Sequence, residues 1–520
     1  MALFGVGVGV GATLSMANLL LLLLPACVDA KAVFAHFMMS NTKNYTLTTW
    51  KTDIQAAQES SIDAFVLNLG FEWLNHTSTN PSPYPVQLTD AFAAAEQLDF
   101  HLLFSFDFSA TNSRGTWSND AIVDLITEFT PRQAYFRHDG RPVVSTFEGF
   151  LVANSWTGIK QEIKAHGGAD VGEILLIPDW TSVGATRAAE SEVTDGLMCW
   201  NAWPDGTHPM NTTEDELYID LLGDDKLYIM PVSPWFYTNL AQFEKNWVWR
   251  GGDLWYERWQ QVLEVNPDFV EIITWNDYGE SHYIGPLHEE AVVGEGLKAA
   301  GAPFDYVAGR PHDGWRILLP YLIEQYKVDG GSEEERVRQR EEVEIAEELL
   351  SVWYRLSPAR ACTSGNTTGN TESHNQVVLQ PGELLQDKVF YSALLEGSTD
   401  VSVSIGGANT TEGWSDVPAT GRGIYHGSAD IGDREGEVEV TISRDGQVLL
   451  QLKGKNIELQ MECPLNQTNW NAWVGNATAV EGGPGVESDA ENGAAGTLYI
   501  RSWTAWMVMA GIIMELAVLL

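Results

Sequence analysis

Eight short apolar runs recur between residues 32 and 276, and each is followed by a stretch with the composition of a helix. The runs are AVFAHFMM (32–39), AFVLNLG (64–70), HLLFSFDF (101–108), VVSTFEG (143–149), EILLIPDW (173–180), DGLMCWNAW (195–203), KLYIMPVSPWF (226–236) and FVEIITWN (269–276). Their β-branched and aromatic content marks them as strands. Helices are expected from Thr48, from Leu88, from a cap near Ser118 and from Ser155. DLWYERWQQVLEVNP (253–267) is the clearest, with Asp253 as its N-cap. Eight strand–helix units over residues 31–330 predict an α/β fold, the (β/α)8 TIM barrel. A doubly wound open sheet is the competing arrangement, but no glycine-rich phosphate loop follows the first run.

The alternation stops after a helix expected at 313–326. SEEERVRQREEVEIAEELL (332–350) mixes both signs of charge and predicts a helical insert, residues 331–349, with a solvated face. KVFYSALL, DVSVSIGG, EVEVTIS, QVLLQLKG and NIELQMEC then read as short strands separated by turns, a smaller C-terminal β-sandwich domain over 350–465. A chain of 520 residues has room for both domains. Cys362 and Cys463 bracket the second and are the expected disulfide, closing a long loop. Cys199 lies in an apolar run and reads as a buried free thiol, and no Cys/His spacing points to zinc. No cofactor is expected.

Both ends of the chain look like processing signals. Residues 1–30 carry the apolar run Leu19–Leu24 followed by PACVDA, a signal peptide cleaved after Ala30. Seven glycosylation sequons, at Asn44, Asn75, Asn211, Asn366, Asn409, Asn466 and Asn476, agree with secretion. Residues 466–502 read as a low-complexity linker and spacer. The hydrophobic tail 503–520 then completes a glycolipid-anchor signal, with attachment near Asn492, Gly493 or Ala494. A membrane-spanning tail is the rival, but it would carry Glu515 and lacks a basic flank. The expected location is extracellular, anchored at the cell surface or in the cell wall. A net charge of −41 excludes nucleic acid as a partner and suits an uncharged substrate. A monomer is expected.

On the barrel reading, side chains at the strands' carboxyl ends converge on one mouth. His36, Asn68, Asp107, Glu148, Asp179, Asn201, Trp235, Asp277 and Glu280 stand there. Carboxylates dominate, and there is no serine elbow and no histidine pair spaced for a metal. Paired carboxylates among amides and aromatics suit acid–base hydrolysis of an uncharged polymer, above all a glycoside. Fourteen of the 20 tryptophans lie between Trp50 and Trp315. Trp203, Trp235 and Trp275 follow strand ends and are the candidates for stacking on sugar rings. The richest stretch is FVEIITWNDYGESHYIGP (269–286), where a buried strand breaks into a loop carrying Asn276, Asp277, Tyr278, Glu280 and His282.

HFMMSNTKNYTLTTWKTDIQAAQESSIDAFVLNLG, STFEG, LLIPDW, GLMCWNAWP, MPVSPWFYTNL, KNWVWRGGDLWYERWQQVLEV and ITWNDYGESHYIGP together resemble the fungal α-1,3-glucanases (mutanases) of glycoside hydrolase family 71. The match runs from Lys31 to about Ala361, and the later β region resembles that family's C-terminal domain less closely. The resemblance implies a (β/α)8 barrel, hydrolysis of α-1,3-glucan with inversion at the anomeric carbon, and catalytic carboxylates on Asp277 and Glu280. On that basis Glu280 is assigned as general acid and Asp277 as general base, about 6.5–9.5 Å apart. Crowding by Asp107 or Asp179 would raise the acid's pKa. Asn276, Tyr278, His36 and His282 would position hydroxyls, and Glu148 is the rival catalytic group. Two other readings remain open: a glucan-binding surface protein without activity, and a glycosidase of other linkage specificity tuned by the 70–90 loop.

Overall fold

Eight parallel strands form a sheet that curls on itself: β1 (Ala32–Met38), β2 (Ala64–Leu69), β3 (His101–Asp107), β4 (Arg141–Phe147), β5 (Leu175–Leu176), β6 (Gly196–Met198), β7 (Leu227–Val232) and β8 (Phe269–Ile272), with the short segment Arg137–His138 added antiparallel to β4. The computed structural model describes residues 31–70, 84–109, 117–167, 171–328, 331–459, 463–480 and 483–487. The strands pair in the order β4-β3-β2-β1-β8-β7-β6, with β5 beside β4. Backbone bridges from Phe147 to Asp179 and from Asp179 to Met198 carry the ladder from β4 across to β6. β5 is short because Pro178 offers no backbone N–H to extend it. Every residue of β2 is buried, as parallel strands covered on both faces require.

Helices follow most strands within a few residues. Leu47–Glu59 opens with a capping box in which the Thr46 and Thr49 side chains serve each other's backbone N–H groups. Asn119–Phe129 is capped by Ser118, and Ser155–His166 begins at the expected residue. Leu254–Val265 follows Asp253, but Asp253 makes no cap bond. Its Oδ1 instead pairs with His426 Nε2 at 2.9 Å, so this carboxylate ties the helix to the C-terminal half of the chain.

One element was not expected. After β7 the chain turns through a hairpin, Tyr237–Leu240 and Lys245–Val248, whose second strand pairs in parallel with Thr368–Gly369. This three-stranded sheet links the two halves of the chain. The charged helix is also shorter than expected, Glu333–Glu342 capped by Ser332. The chain beyond it buries Val343 and Ile345 and enters a strand at Leu349.

The C-terminal half holds two antiparallel sheets, of five and four strands. Leu350, Val352, Tyr391, Val440, Ile442 and Leu450 from the two sheets share one apolar cluster. The strand Trp473–Val480 pairs along its length with Leu349–Tyr354 inside the five-stranded sheet. Residues 473–480 are therefore structural and not part of a linker, because Val474 and Ala477 are buried there. Cys362 and Cys463 are joined as a disulfide with Cα atoms 6.5 Å apart, and Cys199 is a buried free thiol. The signal segment 1–30, most of the 70–90 loop, Asn75, Asn492 and the tail 503–520 lie outside the described residues. Among the described residues no helix is long and apolar enough to cross a membrane.

Candidate active site

β8 delivers the chemistry. Past Ile272 the chain crosses a cis Ile273–Thr274 peptide and enters the loop that carries Asp277 and Glu280. Asn276 fixes where that loop starts. Its Oδ1 accepts from Met38 N at 2.7 Å and its Nδ2 donates to Met38 O, so the whole amide is spent on the end of β1. Asp277 then caps a single helical turn, Tyr278–Glu280, by accepting from Glu280 N at 3.1 Å.

Four residues close a hydrogen-bond ring there. Asp277 N donates to Thr274 Oγ1 at 2.8 Å. The Thr274 hydroxyl lies 3.1 Å from His282 Nδ1, and His282 Nε2 lies 3.0 Å from Glu280 Oε2. The Glu280-to-Asp277 bond completes the circuit. Every group is satisfied when the Thr274 hydroxyl donates to Nδ1 and the Nε2 proton faces Glu280. From outside the ring, Lys245 of the hairpin places its ammonium on Glu280 Oε1.

The two carboxyls are consequently pushed apart. Burial and the negative charge of Glu280 raise Asp277 above the ordinary carboxylate range, against the pull of His282 and Lys245. Burial also works against ionised Glu280, but Lys245 and His282 outweigh it and hold that carboxyl well below its usual value. Two neighbouring titratable groups driven in opposite directions are the arrangement that assigns proton donor and anion. The raised carboxyl is Asp277, whereas the sequence reading placed the raised pKa on Glu280, and the cause is burial and its partner rather than Asp107 or Asp179. One ligand atom from each of Asp277, Glu280 and His282 lies within 4.8 Å of the others. These three could hold a cation, but Lys245 already supplies positive charge at Glu280.

Three more carboxylates stand around the sheet's carboxyl edge. Burial raises Asp107, whose Oδ1 accepts from Ser109 N and Oγ. Glu148, in left-handed backbone at φ +57°, is raised by burial against a hydrogen bond from Ser182. Asp179 is deepest: burial lifts it to about 8, with Thr181 satisfying Oδ1 and no hydrogen bond to Oδ2 among the described residues. His36 Nδ1 lies 2.7 Å from Glu271 Oε1, and its buried Nε2 has no hydrogen-bond partner among the described residues. Asn68 is buried in register with Met38 and Ser105. Asn201 donates its amide to Glu214.

The expected sugar platforms are placed differently. Trp275 is fully buried against Phe65, and Trp235 is 2% exposed with its indole N–H on Trp470 O. Trp203 is stacked on Trp249 with its N–H on Trp235 O. The Tyr278 hydroxyl donates to Pro286 O from the interior. These side chains, with Asn276, are buried in the structure rather than displayed at its surface. His282 likewise is buried and serves Glu280. The reason is shared: apolar rings beside a strand end are drawn into the surrounding packing.

Trp200 is the tryptophan at the mouth that was passed over. It is half-buried, edge-on to His36 at 4.8 Å and to Phe147 at 4.7 Å. Its position directly after β6 was the available signal. Lys245 and Glu271 were also missed, although a glutamate inside the apolar strand FVEII is itself a flag. Of the sequons, Asn44, Asn211, Asn366, Asn409 and Asn466 are exposed, whereas Asn476 is half-buried in the strand paired with Leu349–Tyr354.

The model of glycosyl hydrolase family 71 matches residues 29–487. The chain belongs to that family. It is a glycoside hydrolase. A glucan endo-1,3-alpha-glucosidase of Schizosaccharomyces pombe is 33% identical over 456 residues, 86% of this chain and 94% of that protein. A mutanase of Penicillium rubens is 31% identical over 471 residues, 89% of this chain and 92% of that protein. An ascus wall endo-1,3-alpha-glucanase of S. pombe is 32% identical over 316 residues, 58% of this chain and 68% of that protein. The family 71 match extends well past residue 361, so it takes in the C-terminal sheets as well as the curled one.

Proposed function

We propose that this family 71 enzyme hydrolyses α-1,3-glucosidic bonds of cell-wall α-1,3-glucan, with Asp277 as proton donor and Glu280 as its ionised partner. The observation that carries the reading is the Asp277–Glu280 pair, held by one hydrogen-bond ring with the two carboxyls displaced in opposite directions. The names of the relatives support the linkage. In the reaction, Asp277 gives its proton to the glycosidic oxygen as the bond from the anomeric carbon breaks. Glu280 takes a proton from the water that attacks the opposite face, and a hemiacetal of inverted configuration leaves. Trp200 and Asp107, at the carboxyl edge of the sheet, would border the bound sugar.

Inversion is proposed on the family resemblance. It needs room for a water, about 6.5–9.5 Å between carboxyl groups. Oxygens of Asp277 and Glu280 within 4.8 Å favour a second reading, direct attack by Glu280 with retention, for which about 5–5.5 Å serves.

The fold proposed for this function is the (β/α)8 barrel over residues 31–330, supported by the bridges that join β4 to β6 through Asp179. A C-terminal β-sandwich would follow, supported by two sheets with one shared cluster. The disulfide suits an oxidising, extracellular setting, and a glycolipid anchor near Asn492 would hold the enzyme at the cell surface.

The test is to incubate the protein with insoluble α-1,3-glucan and follow reducing ends and product anomers by NMR. β-anomers at early times establish substrate and inversion, and α-anomers establish the retaining reading. Release only from α-1,4- or β-1,3-glucan, or binding without cleavage, overturns the proposal.

A further inference from the structure

The segment Thr367–Gln376 belongs by sequence to the C-terminal half, yet it lies along the hairpin that carries Lys245. Thr368–Gly369 pairs with Trp247–Val248, and Asn370 N donates to Val248 O at 3.0 Å. This strap ends at Gln376, whose Oε1 accepts from Trp249 Nε1 at 2.7 Å and from Thr371 N at 3.2 Å. Trp249 is 6% exposed, so Gln376 is what satisfies its indole N–H. Trp249 in turn packs on Phe236 at 4.1 Å and stacks on Trp203 at 4.9 Å. Those two rings lie against the His282 imidazole at 5.8 Å and 5.4 Å, tilted by 37° and 34°. His282 has its Nε2 on Glu280.

From this chain of contacts we infer that Gln376 is a positioning residue for Glu280, acting through Trp249 and the aromatic pair that holds the His282 ring. The inference rests on the reading of Glu280 as a catalytic carboxylate. It makes the C-terminal half a working part of the active site. A buried imidazole has two ring faces and two nitrogens to fix. Thr274 and Glu280 fix the nitrogens, whereas the two rings beside the imidazole both pack on Trp249. A misplacement of about 1 Å at a reacting group can cost about a hundredfold in rate, so a single buried hydrogen bond on the strap has leverage on catalysis.

Two variants cut the same bond from opposite ends. Gln376→Leu removes the acceptor and Trp249→Phe removes the donor while keeping a ring in place, so one can be read if the other folds poorly. Both are expected to lower kcat about tenfold with little change in KM. Both should also move the acid limb of the kcat profile to higher pH, because Glu280 loses part of what stabilises its anion. Gln376→Glu, which keeps an acceptor oxygen, should restore kcat. The pH profile is compared between the first two variants only, because the added carboxylate and His374, packed on Trp249 at 5.3 Å, bear on it as well. The ring 15N resonances of His282, assigned with a His282→Gln variant and recorded without substrate, should shift in the first two variants and return in the third. Lowered thermal stability with unmoved His282 resonances and an unmoved acid limb would overturn the inference. So would a Gln376→Glu variant as impaired as Gln376→Leu. Failure of the parent to cleave α-1,3-glucan would instead count against the proposed substrate, and the resonances would still report on the strap.

Discussion

His282 stands 3.0 Å behind Glu280 and, through Thr274, reaches the backbone of Asp277. One imidazole is thereby linked to both members of the carboxylate pair, directly to Glu280 and through Thr274 to Asp277. The sequence spacing Asp-x-x-Glu-x-His is what allows it. A single helical turn brings Glu280 N under Asp277, and Ser281, in left-handed backbone at φ +61°, swings His282 back towards the strand.

Lys245 controls the anion from the other side. Its ammonium lies on Glu280 Oε1 and is a main reason that carboxyl is held low. Replacing it by methionine should raise the Glu280 pKa, so that ionised Glu280 is lost at a higher pH as the solution is acidified. The acid limb of the kcat/KM profile is expected to move upward by about one pH step, with activity at pH 7 less affected than activity on that limb. Lys245→Arg should keep the parent profile. A pH–rate series on the two variants checks this, and an unmoved limb in Lys245→Met would show that Lys245 does not set the titration of Glu280.

Much of this could be read from the chain itself. Strand ends were legible because a buried parallel strand is an uninterrupted apolar run, and the first polar residue after it must lie at the edge. His36, Asp107, Glu148, Asp179 and Asp277 were found that way. Lys245 was not, because its contact with Glu280 depends on a hairpin that neither strand period nor helix period announces. The tryptophans misled for a related reason. Trp235 and Trp275 follow strand ends, but both are buried: Trp275 lies against Phe65, and Trp235 bonds to Trp470, a partner 235 residues away that no local pattern reveals. The opposite displacement of the Asp277 and Glu280 carboxyls was also out of reach, since it is set by burial and by Lys245.

The same distinction yields a test on tryptophan. Trp200 is half-buried at the mouth, and Trp275 is fully buried. Trp200→Ala should raise KM for glucan several-fold with little loss of stability. Trp275→Ala should cost about 3–5 kcal/mol of folding free energy and lower activity through loss of folded enzyme. Denaturant unfolding beside Michaelis kinetics separates the two, and equal stability loss in both variants would place Trp200 in the core.

Asp179 links stability to pH. Its carboxyl is lifted to about 8 by burial, from 3.8 when free. The folded state therefore holds a proton that the unfolded state has released across that window. Stability falls as pH rises from near 4 towards 8, with a slope of about 1.4 kcal/mol per pH step for this one group. Asp179→Asn keeps the size of the side chain and removes the titration. Between pH 5 and 8 the parent should lose stability relative to the variant, measured as the difference of their unfolding free energies at each pH. A constant difference would mean that Asp179 is already ionised in the fold.

Far from the mouth, Arg258 and Asp215 form a bidentate pair, with Nη1 and Nη2 each 2.7 Å from a different carboxylate oxygen. Both side chains are buried, at 0% and 2% exposure. Arg258 lies on the helix before β8 and also donates to Pro231 O at the end of β7. Asp215 accepts from the Tyr228 hydroxyl on β7. Removing one partner strands a buried charge, so Arg258→Met should destabilise the fold by about 3–5 kcal/mol. Asp215→Asn alone leaves Arg258 facing a neutral amide and should also be costly. In the double variant neither charge is left unpaired, so its loss should be smaller than the sum of the single losses, a coupling read directly from a double-mutant cycle. Because the pair touches neither Asp277 nor Glu280, kcat per folded molecule should stay at the parent value in all three. A fall in kcat without a fall in stability would mean that the pair reaches the active site through β7 and β8, beyond holding the strands in place.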